Sequence, residues 1–323
     1  MNPHKIIVIG GTGFLGYHVV EEFIAKGWEV SALGLPGPGT SDLFSNQVSV
    51  VLRDLYSSSD EELISIFKGS DALVFASGLD DRYVPAKPCY PIFFQANVVT
   101  PIRVLNLARV AEIKKAVVLG SYFTHFNRIW PEMRLAERHP YIRSRVEQEK
   151  AVTSVPGIET CVLELPYIFG SLPIKGWKPL WTPLIQYINK TPIVFYTPGG
   201  SACISAKTVG KAVYGAVANG KTGNSYPVGG DNLSWEELLL RLAAANGRKI
   251  QVHTVPHWLT QSGLAGVGII HSFLRKESGL KPKYFAFLQE RYTYIDPAPS
   301  KEALGFEICD LEEALVSTVL SAR

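Results

Sequence analysis

Two periods of hydrophobic spacing alternate along this chain. Ile6 to Ile9 is an unbroken apolar run between Lys5 and Gly10, the pattern of a parallel strand covered on both faces. Residues 17–26 follow with apolar positions at Val19, Val20, Phe23 and Ile24, the spacing of one helical face. The same reading predicts strands at 28–33, 48–52, 72–76, 116–119 and 160–165, and helices at 60–67, 92–110 and 141–153. A turn-rich loop, Gly34-Leu-Pro-Gly-Pro-Gly39, follows the second strand. Strand and helix alternating in this way imply an α/β fold, a doubly wound parallel sheet whose ligands sit beyond the C-terminal strand ends. From about Tyr167 the order loosens. Pro173, Pro179, Pro183, Pro192 and Pro198 are interspersed with helical patterns, the clearest being 208–218, 234–245 and 311–320. Residues 1–166 are therefore expected to form the ligand-binding sheet domain, and 167–323 mainly a smaller C-terminal substrate lobe. No linker-like stretch separates them, so one globule is expected, with some chain crossing back to the sheet.

The first strand runs directly into Gly10-Gly-Thr-Gly-Phe-Leu-Gly16. Gly11, Gly13 and Gly16 fit GxGxxG, and Gly10, Gly13 and Gly16 fit GxxGxxG, with the strand before and the helix after that the motif requires. Glycines here permit a tight turn and close backbone approach to phosphate, while the helix N-terminus offers free N–H groups and partial positive charge. This is a Rossmann-type cradle for a dinucleotide pyrophosphate, with Gly10, Gly11, Thr12, Gly13, Phe14, Leu15 and Gly16 as candidate contacts. The second strand ends in Leu33-Gly34-Leu35 with no acid. An NAD-selective site keeps Asp or Glu about 20 residues past the glycines to bind the ribose hydroxyls. Its absence predicts weak discrimination between NAD and NADP, or a tilt to NADP, with Arg53 the nearest cation for a 2′-phosphate.

Composition narrows the class. The 323 residues are 46% hydrophobic and 19% charged, with net charge +3, enough chain for a large core. No basic run exceeds two residues, so nothing calls for nucleic acid. No run of ~18 apolar residues exists to span a bilayer, and the N-terminal apolar segment is too short for a signal peptide, so a cytoplasmic protein is expected. Cys89, Cys161, Cys203 and Cys309 are far apart and form no CxxC, as reduced thiols would be. His253 and His257 are four apart, but Pro256 breaks the helical pairing a metal site would use, so no metal is expected.

Over nearly its whole length the chain resembles the extended short-chain dehydrogenase/reductase superfamily, within it the NAD-dependent epimerase/dehydratase family. Beside the glycine loop, Arg53-Asp54-Leu55 resembles the acidic site after the third strand. Phe75-Ala76-Ser77-Gly78 resembles the fourth-strand segment beside the cofactor, and Asn97 stands where the family keeps an asparagine. Leu165-Pro166-Tyr-Ile168-Phe-Gly170 is similar to its "RPxxxYG" segment, residues 204–212 to "VHVDDVARA", and Ser300-Lys-Glu-Ala-Leu-Gly-Phe306 to "SxKAxxxLGF". The resemblance implies that Gly34, Arg53, Asp54, Leu55, Ala76, Ser77, Gly78, Asn97, Pro166 and Ile168 join the glycine loop around NAD or NADP.

The family's catalytic signature is Tyr-x-x-x-Lys with a Ser or Thr upstream. Here it reads Tyr141-Ile-Arg-Ser-Arg145, preceded by Gly120-Ser121-Tyr-Phe-Thr124. Arg145 thus replaces the lysine. Residues four apart share a helical face, so a cation at 145 is expected to lower the Tyr141 pKa toward working pH, making the phenol a general acid/base. Either Ser121 or Thr124 could polarise the substrate oxygen, and the sequence does not choose between them. Asp80 and Asp81 read as loop caps. The expected activity is hydride transfer between nicotinamide and a ketone or secondary alcohol. The alternatives are a sugar-nucleotide epimerase/dehydratase, or a non-catalytic dinucleotide sensor, favoured by Arg145, by Leu165 where the family often has Arg, and by Lys207-Thr208 where it often has Asp-Asp. The apolar stretch from His257-Trp-Leu through Ile269, Ile270, Phe273 and Leu274, with Tyr284, Phe285 and Phe287, is expected to line an apolar substrate pocket, as for a hydroxysteroid-, flavonoid- or terpenoid-like ketone in the family's reductase branch. Family members pair through two helices matching 94–110 and 141–153, so a homodimer is expected, with Val98, Ile102, Leu105 and Val110 as surplus apolar positions.

Overall fold

The computed structural model describes residues 4–323. In its first half, β1 (Lys5–Ile9), α1 (Phe14–Ala25), β2 (Glu29–Gly34), β3 (Val48–Leu52), α2 (Asp60–Phe67) and β4 (Ala72–Phe75) lead to α3 (Tyr90–Phe94). A π-helical turn, Gln95–Val99, joins α3 to α4 (Thr100–Val110). There follow β5 (Lys115–Ser121), α5 (Phe123–Ile129), α6 (Leu135–Arg138), α7 (Pro140–Thr153) and β6 (Glu159–Leu165). The helix expected at 92–110 is therefore one continuous rod with a wide turn at its centre. That extra residue per turn resets the helical face at Asn97, a common device at functional positions.

The second half holds β7 (Tyr167–Phe169), α8 (Thr182–Lys190), β8 (Ile193–Tyr196), β9 (Gly200–Ser205), α9 (Ala206–Asn219), β10 (Ser225–Pro227), β11 (Asp231–Ser234), α10 (Trp235–Ala245) and β12 (Gln251–Thr254). It ends with α11 (His257–Phe273), α12 (Pro282–Gln289), β13 (Tyr292–Thr293), α13 (Ala298–Leu304) and α14 (Leu311–Ala322).

The main sheet has seven strands in the order β10-β6-β5-β4-β1-β2-β3, every pair parallel. It is a Rossmann-type α/β fold. The order reverses between β1 and β4, and ligands of such sheets bind in the crevice outside the carboxyl ends at that switch. On one face Val19, Val20 and Phe23 of α1 meet Val209, Val213 and Ala216 of α9 over Val8 and Val74. On the other, Leu63 and Phe67 of α2, Val104 and Leu105 of α4 and Val152 of α7 cover Ile7, Ile9 and Phe75. Both α9 and β10 come from the second half of the chain, which crosses back to finish the sheet. The smaller lobe has its own core, in which Trp235, Leu238 and Leu242 of α10 pack with Phe169, Ile185, Leu315 and Val319. Its strands form two small sheets: in one, β9 pairs with β7, β11 and β13; in the other, β8 pairs with β12.

The four apolar positions of the long helix read as surplus divide, and Ile102 is half-buried. Val98 and Leu105 are buried within the protomer, and only Val110 of the expected set is exposed.

Candidate dinucleotide and substrate site

The glycine loop divides its labour. A Cβ on Gly16 would lie 2.0 Å from the Gly10 carbonyl oxygen, and one on Gly11 2.8 Å from the Ala32 Cβ, so these two glycines let α1 pack tightly onto β1 and β2. Gly10 has φ +80° and turns the chain. Gly13 differs: it is exposed, and its Cβ would meet only the Gly10 oxygen, at 3.2 Å. It is the N-cap of α1, which has no side-chain cap and no acid in its first turn, leaving first-turn N–H groups free for an anion. A pyrophosphate fits this cradle: the space a side chain at position 13 would take is open, and free donors border it. Thr12 is buried over the end of β2, where a Cβ on Gly34 would lie 1.9 Å from its Oγ1.

Around the loop, Phe14, Leu15, Ala76, Ser77, Gly78, Pro166 and Ile168 line the same cavity as Ser121, Tyr141 and Arg145. The C-terminal ends of β1, β4, β5 and β6, together with β7 and α7, supply them, which is why residues so distant in sequence converge. Asn97 stands behind this wall. Its amide accepts from Leu79 N (2.9 Å) and donates to Leu79 O (3.1 Å) and Ser144 Oγ (3.2 Å), so it pins the loop after β4. Arg53 is exposed and donates to its neighbour Leu52 O (3.1 Å). Asp54 accepts from Tyr56 N (2.9 Å) and holds a turn, and Leu55 is buried beneath.

Tyr141 lies in the first turn of α7, and Arg145 one turn on. The Arg145 Nε donates to the Tyr141 hydroxyl at 3.2 Å. The rest of the guanidinium donates to Gln148 Oε1 (2.9 Å), Leu79 O (3.1 Å) and Leu119 O (3.4 Å). A planar fork with five donors can hold these acceptors together, whereas an ammonium offers three donors from one point. The expected lowering of the Tyr141 pKa is corrected: the phenol lies above its ordinary value. Burial drives it up and outweighs Arg145 and the Ser121 hydroxyl, which both act the other way. Tyr141 is therefore a neutral phenol holding its proton through the physiological range. Between the two upstream hydroxyls, Ser121 faces the cavity. Thr124 is buried behind it, its single hydroxyl hydrogen shared between Ser121 O (2.8 Å) and the Glu164 carboxylate, which also accepts from Arg128 (2.6 Å). Burial raises Glu164 to about 7.

The cavity, about 440 Å³, continues past Tyr141 into a wall made by Tyr122, Phe123, Tyr167, Trp177, Leu180 and Trp181. Phe14 of the glycine loop stacks on Trp177 (ring centroids 5.2 Å apart), so the segment after β7 closes over the cradle. This wall corrects the expectation that 257–274, with Tyr284, Phe285 and Phe287, would line the substrate pocket: none of those residues reaches the cavity, and α11 lies on the exterior of the lobe. The available signal was the placing of two of the chain's six tryptophans within five residues, Trp177 and Trp181. Asp80 caps its turn, accepting from Arg82 N (2.9 Å). Asp81 does not. It lines the cavity, with burial pushing its carboxyl up, while Arg82 stacks over Trp181 at 5.3 Å.

The profile of the NAD dependent epimerase/dehydratase family matches residues 6–199. A protein of Synechocystis sp. (strain ATCC 27184 / PCC 6803 / Kazusa) described as "Putative dihydroflavonol 4-reductase" is 23% identical, across 97% of this chain and 92% of its own. The Homo sapiens sterol-4-alpha-carboxylate 3-dehydrogenase, decarboxylating, is 21% identical across 99% and 88%. Among solved structures, gox2253 superposes with TM-score 0.78 at 17% identity, covering 99% of this chain and 97% of that one. UDP-N-acetylglucosamine 4-epimerase from Bacillus cereus superposes with TM-score 0.68 at 17% identity, covering 99% of each chain. With its profile matched across more than half the sequence, the chain belongs to the NAD dependent epimerase/dehydratase family.

Proposed function

We propose that this protein is an NAD(P)-dependent oxidoreductase acting on a ketone or secondary alcohol carried by a largely apolar substrate, and that it works in the cytoplasm. One observation carries the reading: the neutral Tyr141 phenol and the Ser121 hydroxyl share the floor of a cavity that opens onto the glycine cradle on one side and an aromatic wall on the other. When bound, the dinucleotide supplies or accepts the hydride. Gly13 and the first turn of α1 would hold its pyrophosphate, with Ala76, Ser77, Pro166 and Ile168 flanking it. Tyr141 donates its proton to the carbonyl oxygen during reduction and takes it back during oxidation. Ser121 donates a hydrogen bond to the same oxygen as charge develops there. Arg145, fixed by four protein acceptors, keeps positive charge beside the phenol in the deprotonated state. The aromatic wall orients the apolar body of the substrate and excludes water.

The ending of β2 in Leu33-Gly34, with Arg53 the exposed cation beyond β3, supports a site open to NADP as well as NAD. The experiment is a panel of planar polycyclic ketones and their alcohols, followed by nicotinamide absorbance, with Tyr141→Phe as control. Thermal shifts with UDP- and dTDP-sugars run in parallel; binding of the nucleotide sugars alone would favour the epimerase class and refute the apolar substrate. Engagement of four of the five Arg145 donors by the protein favours one second reading, dinucleotide binding without turnover. Cofactor binding with no turnover on either substrate class would support it.

A further inference from the structure

The exterior of the small lobe carries a helix built inside out. In α11, 17 residues long, no residue is buried. Placed at 100° per residue, Trp258, Leu259, Ile269, Ile270 and Phe273 fall on a single outward arc, with Ser262 and Gly266 between them. The two histidines turn toward the protein: His257 Nδ1 meets Glu290 Oε2 at 2.5 Å, and His271 Nδ1 meets Ser278 Oγ at 2.7 Å. A surface helix of a water-soluble domain carries the opposite pattern. Phe273 is 89% exposed, Ile269 70% and Trp258 65%, and no Asp, Glu, Lys or Arg lies between His257 and Leu274.

Beside this arc lies a groove of about 830 Å³ lined by Ala265, Gly268 and Ile269 of α11 and by six cations, Lys87, Arg134, Arg138, Lys276, Lys281 and Lys283. Its two carboxylates are already paired, Glu137 with Arg134 and Glu277 with Lys281. The remaining four cations have no carboxylate partner among the described residues. An apolar arc with aromatic residues, flanked by unpaired positive charge, is complementary to one kind of surface, an acyl layer topped by anionic headgroups.

We propose that α11 seats the protein on an anionic phospholipid bilayer, the apolar arc entering the headgroup boundary and the basic groove binding lipid phosphate. The helix lies in the interface and does not cross it; no helix among the described residues is long and apolar enough to span a membrane. The docked element leads directly to the site. The segment following α11 pairs Lys276 with Ala86, and Gly279 O accepts from Tyr141 N (3.1 Å), so a load on α11 reaches both the loop after β4 and the first turn of α7.

The test is flotation of the full chain with vesicles of phosphatidylcholine alone or mixed with phosphatidylglycerol. The expected result is binding to the mixed vesicles that weakens as salt screens the headgroups. Ile269→Glu/Phe273→Glu should reduce that binding at least ~tenfold with an unchanged melting temperature, and Lys276→Glu/Lys283→Glu should lower it on mixed vesicles. If the apolar double variant melts low, Phe273→Ser alone supplies the comparison at the most exposed position. No flotation with either vesicle, or flotation undiminished by the Phe273 substitutions, overturns the proposal. So does a fall in the sedimenting mass of the lipid-free protein on those substitutions, which would show that a second copy of the chain covers α11.

Discussion

Gly13 and Gly16 belong to one motif but serve different physical ends, and substituting each separates them. A Cβ on Gly16 would lie 2.0 Å from Gly10 O and 2.7 Å from both Gly10 C and Gly11 Cα. These are backbone atoms that cannot rotate away, so α1 must shift against β1; overpacking of this kind costs about 1–3 kcal/mol or more. On the scale of ~2–4 °C per kcal/mol for large domains, Gly16→Ala should lower the melting temperature by ~3–10 °C. At Gly13 the backbone is extended (φ −85°, ψ 174°), a conformation valine adopts freely, and the single close atom is 3.2 Å away. Gly13→Val therefore loses only the glycine N-cap preference, at most ~1 kcal/mol, and stays folded, while its isopropyl group fills the space left for phosphate. The assay is paired: differential scanning fluorimetry for stability, and calorimetric titration with NADH and NADPH for binding. Gly13→Val should melt within ~4 °C of the wild type and bind neither cofactor. Undiminished binding by folded Gly13→Val, or a Gly16→Ala protein as stable as the wild type, would refute the division of roles.

Three further outcomes are expected. Tyr141→Phe should keep cofactor affinity and lose turnover by about 10²–10⁴-fold; because burial holds the phenol above its ordinary value of 10.0, carbonyl reduction by the wild type should persist through neutral pH and fall only in strong alkali, and a fall near neutrality would remove Tyr141 as the acid. Calorimetric titration should show comparable affinities for NAD and NADP or a preference for NADP, and a hundredfold preference for NAD would contradict the reading of β2. Glu164 titrates at about 7 when folded against an ordinary 4.5, so the folded state holds more protons across that interval. Stability is then greatest below it and falls as pH rises through 7, by on the order of 3 kcal/mol. Denaturant midpoints from pH 4.5 to 8 should show that slope flattened in Glu164→Gln; a slope of equal size in the variant would assign it elsewhere.

Much of the sheet was legible in the residues because its signals are local. The apolar run Ile6–Ile9 and the period of α1 depend on neighbours a few positions apart, and the glycine spacing states a backbone requirement directly. The Tyr141–Arg145 pair was legible for the same reason, since a separation of four residues places both on one helical face. What tertiary structure decided is everything set by burial and by meetings between distant elements. Ser121 rather than Thr124 faces the cavity because Glu164, 40 residues on in the neighbouring strand, draws Thr124 inward. The Tyr141 pKa moves up because enclosure outweighs the adjacent cation, a balance invisible in a five-residue motif. The apolar stretch 257–274 reads as pocket lining from composition, yet only packing shows which face of a helix meets the protein. There the polar histidines are turned inward and Phe273 outward, while the aromatic wall of the cavity comes from Tyr167, Trp177 and Trp181, brought to the strand ends by the fold. Hydrophobicity is a property of a side chain, but which surface it covers is a property of the whole chain.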